Sequence, residues 1–143
     1  MKIELSFEEI INYVKHNYDR VVTLRTVSPQ IVQVETDVKI SLLLVEITKH
    51  INIKISIDNI IGSDLYINYI TNLSGIEDVV AQKFIKNKLK KINSLALICE
   101  GDGKNNFVIH IGNIEKIKDI MEKIDILAVF FNKDDVVVEI SIK

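Results

Sequence analysis

Strict alternation of apolar and polar residues limits what this chain can fold into more than any other feature. Val32, Val34, Thr36, Val38 and Ile40 fall on one side of a period of two, and Gln33, Glu35, Asp37 and Lys39 fall on the other. Ile51, Ile53, Ile55 and Ile57 alternate in the same way with His50, Asn52, Lys54, Ser56 and Asp58. A helix would scatter these residues around its circumference, whereas a pleated strand sends them to one dry and one wet face. Val22, Leu24 and Thr26 begin the pattern before a turn at Ser28-Pro29, and Gly62-Ser63-Asp64 leads into a further run from Leu65 to Ile70. The links are too short for parallel crossovers, so these strands are expected to be antiparallel. Leu42-Leu43-Leu44-Val45 is too continuously apolar for a half-exposed strand. It reads as a covered segment or as a bend between two strands.

Three helices interrupt the strands. Ser6 with Glu9 forms a capping-box signature ahead of Phe7, Ile10, Ile11, Val14 and Tyr18, which predicts a helix to about Tyr18. Ser74 with Glu77 repeats the signature and opens a second helix to about Ile92. Asn113 is placed to cap a third, with Ile114, Ile117, Ile120, Met121 and Ile124 as its apolar arc. Two more hairpins are expected, Leu95 to Glu100 with Phe107 to Ile111, and Ile126 to Phe131 with Val136 to Ile142. The expected fold class is α+β: a strongly bent, mainly antiparallel sheet of eight to nine strands packed with three helices. Its order is one helix, four or five strands, a helix, two strands, a helix and two strands. No Pro/Gly-rich linker divides residues 1–143, which read as a single domain.

At 143 residues the chain can bury one sizeable core without a staple. Its 48% apolar content and mean hydropathy of +0.21 are high, so a sheet is covered on both faces or an apolar surface meets a ligand or a second subunit. The formal charge of −2 supplies no positive field for nucleic acid, and Arg20 and Arg25 are its only arginines. Nucleic acid is therefore not an expected partner. Cys99 is the single cysteine, the first residues lack the layout of a secretory signal, and no uncharged run is long enough to cross a bilayer, so a cytoplasmic location is expected.

The chemistry-bearing residues lack the spacing that chemistry needs. His16, His50 and His110 have no second histidine or cysteine at metal-ligand spacing, so no metal, cofactor or catalytic residue is assigned. A register in which Cys99 opposes Phe107 would turn Cys99 away from His110 and leave it a small core residue. Gly101-Asp102-Gly103-Lys104 lacks the ending of a phosphate loop and the ligand pattern of an EF-hand, and reads as a turn.

The second helix departs from ordinary amphipathicity. At about 100° per residue, Ile76, Val79 and Val80 gather on one side while Phe84, Ile85, Leu89 and Ile92 gather on the other. Lys83, Lys86 and Lys90 continue the line of Ile76, Val79 and Val80. Either the helix kinks or restarts near Ala81 to Lys83, or the preceding loop folds over its first turn, or the first side meets an apolar group whose anionic end meets the lysines. The last hairpin adds a second hint: Leu127, Val129 and Phe131 form a core face, while Ile126, Ala128, Phe130 and Val137 crowd the opposite one. The expected function is a non-enzymatic module that binds a lipid-like molecule between the sheet and the second helix, through Ile76, Val79, Val80, Lys83, Lys86, Lys90 and Phe130. The alternative is a protein-interaction or homo-oligomerisation domain, such as a homo-dimer, that buries the same surfaces. An enzyme whose site is assembled only by folding comes third.

Overall fold

The computed structural model describes residues 1–92, 98–100, 105–113 and 118–143; the side chains of Ile40, Leu42, Ile76, 88–92 and 98–100 lie outside the description. The chain runs β1 (Lys2–Ser6), α1 (Phe7–Tyr18), β2 (Val22–Ser28), β3 (Ile31–Leu42), β4 (Val45–Ile61), β5 (Asp64–Thr71), α2 (Gly75–Ile92), β6 (Ile98–Glu100), β7 (Asn106–His110), α3 (Lys118–Met121), β8 (Ile124–Asn132) and β9 (Asp135–Ile142). All strand pairs are antiparallel, as the alternation predicts.

The strands form two sheets rather than one. A six-stranded sheet has the order β2-β3-β4-β5-β7-β6, and a three-stranded sheet has the order β1-β9-β8. The physical reason is β1, a strand the sequence pattern did not disclose. Lys2 to Ser6 pair with Glu139 to Asp135, which completes a separate sheet around β9 and lets it lie over the larger one instead of extending it. Ser6 ends β1 and caps α1 at once: its Oγ accepts the Glu9 N–H at 3.1 Å.

Two apolar cores share the dry face of the six-stranded sheet. The first lies between the sheets, where Val32, Ile57, Leu65 and Ile67 meet Val129 and Phe131, with Phe7 of α1 closing one end. The second lies farther along β3 and β4, where Val38 and Ile51 pack against Ala81, Val80 and Phe84 of α2.

Four local expectations are corrected. Of the third helix the described residues hold Lys118–Met121, and a 3-10 turn occupies Ile111–Asn113; Ile124 already belongs to β8, and Ile114 and Ile117 lie outside the described residues. Cys99 pairs with Val108, and Glu100 pairs with Phe107, a slip of one residue from the expected register. The Cys99 side chain and the loop from Gly101 to Lys104 are outside the description. In the last hairpin Lys133-Asp134 forms the turn as expected, but a bulge between Ile126 and Ala128 exchanges two neighbours. Ile126 joins the core opposite Ile140, while Leu127 is 60% exposed. Lastly, α2 is one continuous helix rather than two segments.

Candidate functional site

The reversal in α2 is resolved by its smallest apolar residue. Ala81 is wholly buried and packs in one core with Ile51, which is also wholly buried. Val80 and Phe84, four residues apart, flank Ala81 and pack on the same core, so they share a side instead of opposing one another. At about 100° per residue Val80 and Phe84 stand only about 40° apart, so the helical angle itself groups Phe84 with Val80 rather than against it. Lys49 Nζ meets Glu77 at 3.1 Å and Thr71 Oγ1 donates to Asp78 at 2.9 Å, fastening the first turn to the sheet.

The seven residues read as a site are therefore divided. Val80 is in the second core. Val79 is 52% exposed, Lys83 is exposed and Lys86 is half-buried, while the side chains of Ile76 and Lys90 lie outside the description. Phe130 belongs to the other sheet, where it pairs with Val137 and is half-buried. The bulge removes Ile126 from that face, where Ala128 and Phe130 are half-buried and Val137 is buried, beside Glu139 and its partner Lys2 at 3.6 Å.

A different region concentrates unusual features. β3 pairs with β2 only as far as Thr36, and β4 pairs with β5 only from Ile53, so Asp37 to Asn52 projects as a two-stranded ribbon. Leu42 pairs with Val45, which makes Leu43-Leu44 a two-residue turn at its tip. Both leucines are wholly exposed, and Leu43 holds a left-handed backbone with φ 57°. That conformation costs a leucine about 1–2 kcal/mol, and Gly is the usual residue at the first position of such a turn.

At the ribbon's base, Arg20 spans the edge of β3. Its Nη1 donates to the Asp37 carbonyl at 3.0 Å and its guanidinium lies 5.0 Å from the centre of the Phe84 ring. Val21, Glu35, Asp37, Lys39, His50 and Phe84 line a cleft of about 490 Å³ beside it. His50 Nδ1 is 2.9 Å from Asp37 and its Nε2 is 3.7 Å from Glu35. The hydrogen bond to Asp37 holds the imidazole above its ordinary pKa against desolvation, aided by the charges of Asp37 and Glu35.

His110 Nδ1 lies 2.8 Å from Asp64 on the neighbouring strand, half-buried, which orients the imidazole. His16 is exposed on α1. Among the described residues no three histidine, cysteine or carboxylate groups are arranged to hold a metal ion, and no helix is long and apolar enough to cross a membrane. Comparison with protein-family models, with curated proteins and with solved structures finds no match.

The one sequence signal for the ribbon was Leu42-Leu43-Leu44-Val45. It is uniform in hydropathy, so it carries no period from which a turn can be read, and it contains none of the residues that mark turns.

Proposed function

We propose that this chain is a protein-interaction module whose recognition element is the β3–β4 ribbon. The observation that carries this reading is the tip: two adjacent leucines held fully in solvent, one of them in a backbone conformation that an ordinary solvent-facing turn would assign to Asn or Gly. Scattered exposed leucines are common on soluble proteins, but a strained apolar fingertip on a projecting ribbon is a surface suited to a partner. The charges nearby favour a protein over an anionic membrane. Lys39 faces Glu46 at 3.7 Å and Lys49 faces Glu77, so the ribbon offers no unpaired cationic cluster to lipid headgroups.

A photoreactive leucine analogue at position 44, with the same analogue at exposed Leu127 as the comparison, tests the reading in intact cells. Protein adducts confined to position 44, and lost when Leu43→Asp is added, are expected. Lipid adducts, or none beyond those at Leu127, overturn it.

A lipid-like ligand remains a second reading, favoured by Val79, which is half-exposed beside Lys83. Its place would be the outer surface of α2, because Ala81 closes the contact beneath the helix. Flotation with phosphatidylglycerol vesicles that is abolished by Val79→Asp, and is indifferent to Leu44→Asp, would favour it.

A further inference from the structure

We infer that the ribbon's partner is a second copy of this chain, added edge to edge along β3. This rests on the protein-interaction reading and names its occupant.

Beyond Thr36 the outer edge of β3 has no neighbouring strand among the described residues. The Asp37 carbonyl points to that side, since Arg20 reaches it from there. By the alternation of an antiparallel strand, the N–H and C=O groups of Lys39 and Ser41 point the same way, and they have no partner among the described residues. The vacant lane is in line with β2 and ends against Val21, which is 67% exposed. An incoming strand that runs antiparallel to β3 must turn before it reaches Val21.

A second β3 meets that requirement. Outward-facing residues must oppose outward-facing residues, which leaves two simple registers. Lys39 opposite Lys39 would set like charges against each other and drive the incoming Leu42 opposite Thr36, the place Val22 holds. Lys39 opposite Ser41 avoids both faults and forms four intermolecular backbone hydrogen bonds. In that register Val38 pairs with Leu42 and Ile40 with Ile40 along the backbone.

The incoming chain then turns at Leu43-Leu44, which brings each tip against the other copy's Val21 at the mouth of the cleft over Phe84. One two-fold operation thus accounts for the open edge, the exposed tip, the exposed Val21 and the cleft. The contact is isologous, so it closes at two copies instead of growing into a fibre. A contact of four backbone hydrogen bonds and two leucine tips is small, which suits weak, concentration-dependent association.

Sedimentation of the full chain over a concentration series tests the inference, with far-UV circular dichroism confirming that each variant is folded. Wild type is expected to pass from monomer to dimer, and not beyond. Ser41→Pro removes an outward N–H that the ribbon itself does not use, so it should weaken the dimer by about 30-fold while the monomer stays folded. In a Cys99→Ser background, a mixture of Lys39→Cys and Ser41→Cys chains should join through a short thiol crosslinker faster than Lys39→Cys chains alone.

A wild-type monomer at every concentration, or a dimer indifferent to both Ser41→Pro and Leu44→Asp, overturns the self-pairing. If that monomer still gives protein adducts at position 44, the interaction reading stands and only the identity of the partner falls. If it gives none, both fall together.

Discussion

Replacing Ile51 with alanine should cost about 3–4 kcal/mol, because this residue joins α2 to the ribbon. Ile51 is wholly buried between Val38 on the adjacent strand and Ala81 on the helix. The substitution removes three carbon groups worth about 0.8 kcal/mol each in transfer, roughly 2.4 kcal/mol. A cavity term of about 1 kcal/mol adds to it, since strands on one side and a helix on the other restrict collapse. For a domain of this size that loss corresponds to about 10 °C in Tm. Urea unfolding followed by far-UV circular dichroism measures it directly, with Val79→Ala on the exposed side of the same helix expected to change stability by less than about 0.5 kcal/mol. A loss at Ile51 below about 1 kcal/mol, or an equal loss at Val79, would refute both the seating of α2 through Ala81 and the explanation given for its reversed pattern.

The β8 bulge predicts opposite outcomes for adjacent residues: Ile126→Asp should destabilise by more than about 3 kcal/mol, while Leu127→Asp should be nearly neutral in the same urea assay. For His50, Asp37→Asn should lower the imidazole titration midpoint seen by NMR. The sign follows from the raised folded-state pKa: the pairing with Asp37 and Glu35 contributes fully below about pH 6.5 and is lost as pH rises through the raised value. A midpoint unmoved by Asp37→Asn would show that the 2.9 Å contact is not what holds the proton.

What was legible in the sequence was what repeats. The alternation of β3 and β4 named their dry and wet faces residue by residue, and the Ser6/Glu9 signature placed α1 to its last residue, because both are local consequences of period and capping. Interruptions of a period were not legible. The bulge near Leu127 changes which face Ile126 occupies without changing composition, and nothing in Ile126-Leu127-Ala128 marks it. β1 was missed because five residues at the start of the chain become a strand only through β9, some 135 positions away. The candidate site suffered from the same limit. Val79 and Lys83 share the exposed side of α2, whereas Val80, grouped with them by angle, packs on the sheet beside Ala81.

The β3 side of the ribbon differs from the sheet edges at β8 and β1 in ways that bear on association. Unprotected edges pair with whatever strand they meet, so soluble proteins bend, charge or cover them. β8 is bent by its bulge and covered where Phe131 N–H donates to the Pro29 carbonyl at 2.8 Å. β1 carries Lys2 and Glu4 on its outer-facing positions within a five-residue strand. The segment from Asp37 to Leu42 has six residues, a single lysine among its inner positions, no bulge and no covering loop among the described residues. Arg20 protects only the carbonyl nearest the base. An edge left open in a chain that guards two others, and ending in two exposed leucines, fits a surface kept for pairing better than one that merely escaped protection.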